Sequence, residues 1–230
     1  HLGGEGAGAG SKGGEGVDPK AFQQYFEQHG RFTAGVALRY GPSMLTGGDQ
    51  HQALAPGFQL GMRFHSAPVI RLADARPMQL GHVAKADGRW RLLAFAPKGD
   101  RGAEDGALHA LCQYLSKDPH SPLLRLTPNG ADSDAVIDLR AVLQLPHREV
   151  QPTEMPPLLR PTKGPHGLVD AEKVFCPDPR AGDIFDLRGI DRTEGALVVL
   201  RPDQHVAALL PLTDHAGLAQ FFGPILPPTD

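Results

Sequence analysis

"RWRLLAFAPKGDRGAEDGALHALCQYLSK" (Arg89–Lys117) decides the fold. Arg89 to Phe95 reads as a strand, and "APKGDRGAED" after it is rich in turn formers. In "AEDGALHALCQYLSK", Leu108, Leu111, Cys112 and Leu115 fall at i, i+3, i+4 and i+7, which predicts one buried helix face. Downstream, "AVIDLRAVLQ" (Ala135–Gln144) reads as a strand, and the Pro-rich material from Pro146 to Pro165 as a long loop. "GALVVLRPDQHVAALLPL" (Gly195–Leu212) gives two strands around a turn near Pro202 and Asp203. "TDHAGLAQFFG" (Thr213–Gly223) is a capped helix with Leu218, Phe221 and Phe222 inward and Gly223 at its end. The order strand, helix, strand, long loop, strand, strand, helix predicts a thioredoxin-like α/β domain, a central mixed sheet flanked by helices, over residues 78–230.

Upstream the signals are shorter. In "MQLGHVAKADGRW" (Met78–Trp90), Asp87-Gly88 suits a tight hairpin turn joining a strand near Met78–Ala84 to the one at Arg89–Phe95. From Gly57 to Pro77 there is little periodicity, and this stretch reads as a connector with short extended pieces. "VDPKAFQQYFEQHG" (Val17–Gly30) predicts a helix with Asp18 as N-cap and Pro19 at the first turn. Phe22, Tyr25 and Phe26 form its apolar face, Gly30 supplies a left-handed stop, and "FTAGVALRY" (Phe32–Tyr40) can extend it. His1 to Gly16 is nearly all Gly, Ala, Glu and Ser, a flexible composition. It contains a literal G-x-G-x-x-G at Gly8, Gly10 and Gly13, but no strand precedes it, and Asp18 opens a separately capped helix, so the match is accidental. The expected partition is a Gly-rich head at 1–16, a connector at 17–77 and the α/β domain at 78–230.

At 230 residues the chain can bury a full core without disulfides. A net charge of -3 gives no electrostatic reason to expect nucleic acid or an anionic membrane as partner. No apolar run approaches a membrane span. Two cysteines are too few for a disulfide framework and point to a reducing, cytoplasmic setting. The chain starts at His1 without a methionine, which suggests a piece of something longer.

Candidate chemistry is sparse. A working thioredoxin needs C-x-x-C at the strand–helix junction, and "APKGDRGAED" holds no cysteine. Cys112 falls on the apolar helix face, a core position. Cys176, in "VFCPDP", is expected to be partly exposed but has no partner thiol. The eleven histidines show no H-x-H, H-x-x-x-H or zinc spacing, so no metal site is expected, and no G-x-S-x-G is present. Arg63, Arg71, Asp74 and Arg76 in "MRFHSAPVIRLADARP" are either an anion site or, the better account, ion pairs bracing the connector. Arg201 and Asp203 in "LRPDQHVA" suit a specified turn with an Arg–Asp pair; a site at a domain interface is the rival reading.

Four strings carry a family resemblance: "FTAGVALRYGPSMLTG", "GMRFHSAPVIRLADARPMQLGHVAKADGRWRLLAFA", "DIFDLRGIDR" and "GALVVLRPDQHVAALLPL…LAQFFG". Together, from about Phe22 to Leu226, they resemble the C-terminal part of flavin-dependent aromatic hydroxylases. The resemblance implies a parent FAD enzyme that hydroxylates phenolic rings with NAD(P)H and O2. It also implies a thioredoxin-like C-terminal domain, without the thiol site, that serves in homodimer contacts and against the N-terminal FAD and substrate domains. Phe22 to about Thr46 then resembles the tail of the catalytic portion. The family's dinucleotide loop, flavin-contacting Gly-Asp motif and ring-hydroxyl-binding side chains have no counterpart here. No catalytic, cofactor-binding or metal residue is therefore expected on this chain, and the chain alone is expected to be inactive. The rival is a free-standing thioredoxin-like redox or scaffold module.

Overall fold

The computed structural model describes Lys20, Gln23, Tyr25, Phe26, Gly30 and residues 37–225. The glycine motif at Gly8, Gly10 and Gly13 and the capping residues Asp18 and Pro19 lie outside the described residues. The chain divides into two compact units, His1–Ala37 and Leu38–Asp230. In the first, Lys20, Gln23, Tyr25 and Phe26 are helical as expected. Gly30 is helical too, so it is not the left-handed stop that its residue type suggested. By Ala37 the chain has left the helix.

The second unit is built on a seven-stranded sheet in the order β2-β1-β7-β4-β3-β8-β9. The strands are β1 (Pro68–Arg71), β2 (Arg76–Gln79), β3 (Trp90–Phe95), β4 (Ile137–Val142), β7 (Val174–Pro177), β8 (Ala196–Leu200) and β9 (Val206–Leu210). A separate hairpin pairs β5 (Thr162–Lys163) with β6 (Leu168–Val169). The helices are α1 (Ala107–Lys117), α2 (Pro122–Leu126), α3 (Ile184–Leu187) and α4 (His215–Phe222). Strand β3 runs parallel to β4 and antiparallel to β8, which turns back as β9. A β-α-β crossover followed by a hairpin, in the order β4-β3-β8-β9 and closed by a helix, is the thioredoxin-like arrangement expected from the sequence. The further strands β7, β1 and β2 extend it beyond β4.

Both faces of the sheet are covered, which explains why β8 and β9 read as unbroken apolar runs rather than alternating ones. On β3, Leu92 and Ala94 join the core beneath α1, α2 and α4, with Leu108, Leu111, Leu115, Leu218 and Phe222. Leu93 and Phe95 face the opposite core, with Phe58, Phe64, Phe175 and Phe185. Each such fully buried side chain contributes about 1.5–3 kcal/mol relative to exposure. Helix ends follow local chemistry. Ser121 accepts from Leu124 N and donates to Leu115 O, so one hydroxyl starts α2 and receives the end of α1. Asp214 accepts from Gly217 N at 2.8 Å and caps α4.

The hairpin expected at Asp87-Gly88 does not form. β3 pairs with β4 and β8, while Met78 belongs to β2, whose partner is β1 through a turn containing Ala75 at φ +54. Beyond Gln79 the chain coils into a 3-10 turn, because Leu80 and Val83, three apart, both turn into the core. Gly88 is still a turn residue, at φ +81, and the Asp87 carboxylate is taken up by Arg89 and Arg91. The stretch read as a connector up to Pro77 thus supplies an edge hairpin to the sheet.

Candidate functional site

In a thioredoxin-like fold the place to look for chemistry is the junction of β3 and α1, where the helix N-terminus presents unpaired N–H groups to an anion or thiolate. Here the chain fills that place itself. Asp100 Oδ2 accepts from Leu108 N at 2.9 Å, and Oδ1 accepts from Gly102 N at 2.8 Å. Gly106, the residue before α1, makes room: a Cβ there would lie 2.5 Å from Asp100 Oδ1. The positive end of α1 is neutralised by an internal carboxylate.

Neither thiol is poised for reaction. Cys112 sits mid-helix, where burial and then the Asp100 charge push its thiol up to about 12. Cys176, expected to be partly exposed, is fully buried in the middle of the sheet, and burial pushes it up to about 12 as well. The correction has a plain cause: "VFCP" is β7 itself, flanked by β4 and β1, and not the start of a loop. The two cysteines are not bonded to each other.

The polar group with the densest charge lies at the other end of the sheet, where β3 and β4 begin, and sequence reading missed it. Lys173 Nζ stands 2.6 Å from both Asp134 Oδ2 and Asp138 Oδ1. Asp138, fully buried, also takes Arg140 Nε at 2.9 Å and Arg91 Nε at 3.1 Å. Arg91 reaches on to Asp87 at 2.7 Å, and Lys163 holds Asp134 at 2.5 Å and Asp170 at 2.8 Å. Burial opposes charge on Asp134, but the hydrogen bonds from Lys163 and Lys173 outweigh it and hold its pKa at about 2. Every carboxylate here has a cation, so the network is closed and braces β4, β7 and the hairpin. The available signal was one acid inside an apolar strand, "VIDLRAV", together with a lysine just before "VFC".

The sequence-selected arginines are split apart. Arg71 pairs with Asp74 through two hydrogen bonds, at 3.0 and 2.6 Å, and with Glu172 at 2.5 Å. Arg76 donates its backbone N–H to Asp74. Arg63 stands by β9 instead, on the opposite edge of the sheet, where it donates to Gln204 at 2.5 Å. The bracing account therefore holds for Arg71 and Asp74, and no common anion site forms. Arg201 and Asp203 make the expected turn pair, at 3.1 and 2.5 Å, with the Arg201 guanidinium 4.4 Å from the centre of the Tyr40 ring.

Among the described residues no group of His, Cys, Asp and Glu could hold a metal, and no helix is long and apolar enough to cross a membrane. A flavin dinucleotide would want a free helix N-terminus for its pyrophosphate. The junction of β3 and α1 that could have offered one is filled by Asp100, so that terminus does not fit the group.

Strand order, the closing helix and a self-capped α1 define a thioredoxin-like domain without a thiol site. Residues 38–230 match the family described as the phenol hydroxylase C-terminal dimerisation domain, and the chain belongs to that family. It is 60% identical over 209 residues to a 3-hydroxybenzoate 4-monooxygenase of Comamonas testosteroni, covering 90% of this chain and 33% of that protein. It is 32% identical over 206 residues to an FAD-dependent monooxygenase of Aspergillus terreus, covering 87% and 33%. The chain thus spans about a third of the length of these relatives. Among solved structures, the thioredoxin domain of a thiol-disulfide oxidoreductase from Bacteroides vulgatus aligns with 73% of this chain and 97% of its own length. That alignment has 11% identity and a TM-score of 0.42, and the fold assignment rests on the strand order instead.

Proposed function

We propose that this chain is the C-terminal, dimer-forming portion of an FAD-dependent monooxygenase that hydroxylates phenolic compounds, 3-hydroxybenzoate or phenol among them, with NAD(P)H and O2. The observation that carries the proposal is the family match over residues 38–230, joined to 60% identity with a 3-hydroxybenzoate 4-monooxygenase. In this reading the FAD and substrate sites lie in the N-terminal domains of the parent, and the stretch from Phe22 to about Thr46 is the tail of that catalytic portion. This chain contributes contacts, holds no flavin and has no hydroxylase activity alone. The self-capped helix α1 supports that division of labour, and the two unlinked cysteines support a cytoplasmic setting. The redox-module reading is disfavoured by two thiols that burial keeps protonated.

The test is light scattering together with a visible spectrum of the purified chain. A colourless dimer is expected. A strict monomer at every concentration would remove the dimerising role, and stoichiometric flavin absorbance would remove the claim that the cofactor sits elsewhere.

A further inference from the structure

A crevice of about 740 Å³ opens at the carboxyl ends of the adjacent parallel strands β4 and β7. In open α/β sheets this is where ligands bind, between the segments that leave neighbouring parallel strands. Its volume suits a small molecule. Pro146, His147 and Arg148 come from the segment after β4, and Pro177, Asp178 and Arg180 from the end of β7 and the turn beyond it. Ile70 and Pro77 of the β1–β2 hairpin also line it. The walls are preset. Each proline ring fixes its own backbone angle. Gln144 is pinned as well, donating to Ala96 O at 2.9 Å and Arg192 O at 2.8 Å and accepting from Arg192 Nη1 at 3.1 Å.

The charges on this lining do not cancel. Asp183 is met by Arg192 at 2.7 Å, and its Oδ1 caps Phe185 N. Asp178 is buried, and its Oδ1 accepts from Arg180 N at 3.0 Å. Arg148 and Arg180 are exposed, and neither side chain has a hydrogen bond or ion pair among the described residues. Two guanidinium groups therefore stand against one unmatched carboxylate, with the His147 ring beside them.

We infer that this crevice is a binding site for a small aromatic carboxylate. A guanidinium fork matches the two oxygens of a carboxylate with parallel N–H bonds, so Arg148 and Arg180 hold the charged end. The rigid rings of Pro146, Pro177 and Pro179, with Ile70 and Leu145, take the flat apolar body. An inorganic anion would leave those walls in water, and an uncharged ring would leave the arginines unmatched. A ligand with both parts uses the whole lining. The site makes no use of the head of α1, which Asp100 closes, and does not depend on how copies of the chain associate. It is also separate from the flavin and substrate sites, which the reading above puts on other domains.

The test is titration calorimetry of the 230-residue chain with benzoate, acetate, phenol and inorganic phosphate. Benzoate is expected to bind once per chain with a Kd of about 1 mM or below, and the other three at least roughly 10-fold more weakly. Arg148→Gln and Arg180→Gln should each weaken benzoate roughly 10-fold, while Lys117→Gln, on α1, should leave it unchanged. Both arginines are exposed, so far-UV spectra should not move. If either glutamine variant fails to fold, Arg148→Lys and Arg180→Lys carry the test. They keep the charge without the fork and should still lose about 3-fold. A chain that takes up no benzoate at millimolar concentration would overturn the inference. Phosphate binding as tightly as benzoate would overturn the ligand class, and arginine variants that bind like the parent chain would overturn the location. None of these results bears on whether the chain dimerises.

Discussion

Lys173 Nζ lies 2.6 Å from Asp138 Oδ1, and neither side chain is more than 1% exposed. An ion pair this deep is a mixed asset: desolvation offsets much of the attraction, yet removing one partner strands the other. Lys173→Ala is therefore expected to cost roughly 3–5 kcal/mol, read from urea unfolding with the far-UV spectrum retained. A loss below about 1 kcal/mol would show that Arg91 and Arg140 alone suffice for Asp138.

The same network sets the acid limit of the fold. Asp134 and Asp170 are buried against charging but are held ionised by Lys163, with Lys173 contributing, and Asp87 is held down by Arg91 and Arg89. All three have folded-state pKa values below the ordinary 3.8. Their contribution is complete above that value and is lost as pH falls through the folded-state values. Urea midpoints should be flat near neutrality and drop between about pH 4 and pH 2. Asp134→Asn should start from a lower midpoint and show a shallower acid drop; an equal drop would remove Asp134 from the account.

Thiol chemistry offers a direct check on the buried cysteines. With both pKa values pushed up to about 12, an aromatic disulfide reagent at mildly alkaline pH should find almost no thiolate in the native chain. In denaturant the same reagent should titrate two thiols, the number in the sequence. Fast native reaction at either position would contradict the burial described here.

Asp100 and Gly106 should be energetically coupled. Asp100→Ala removes the acceptor for Leu108 N and Gly102 N and is expected to cost about 1 kcal/mol. Gly106→Ala drives a methyl into the Asp100 carboxylate, but in the Asp100→Ala background that obstacle is gone. A double-mutant cycle should therefore give a smaller penalty for Gly106→Ala in the second background. Additive penalties would mean that the carboxylate simply moves aside.

Long periodic or turn-bounded segments were legible in the sequence. The apolar spacing in α1, the Pro202–Asp203 turn between β8 and β9, and the capped helix within Thr213–Gly223 are each fixed by neighbouring residues, and each stands where it was read. The misreadings fall where long-range pairing decides. Nothing near Met78 indicates that its partner is Val69 and not the strand after Gly88. Four-residue β7 carries too little pattern to separate it from a loop, which is why Cys176 was misplaced. Lys173 was passed over because a buried lysine looks like a surface one until Asp134 and Asp138 converge on it from 39 and 35 positions away. Arg63 and Arg71 are eight residues apart in sequence, but Arg71 lies on β1 and Arg63 beside β9, toward opposite ends of the sheet, so their apparent cluster dissolves.

The carboxylate lodged at the head of α1 bears on how such a domain can live beside a nucleotide-using partner. Joined to a polypeptide that must capture a dinucleotide, a vacant helix terminus would be a decoy receptor for its phosphates. Because Asp100 already occupies that terminus, the head of α1 carries a carboxylate of its own where a phosphate would otherwise be drawn.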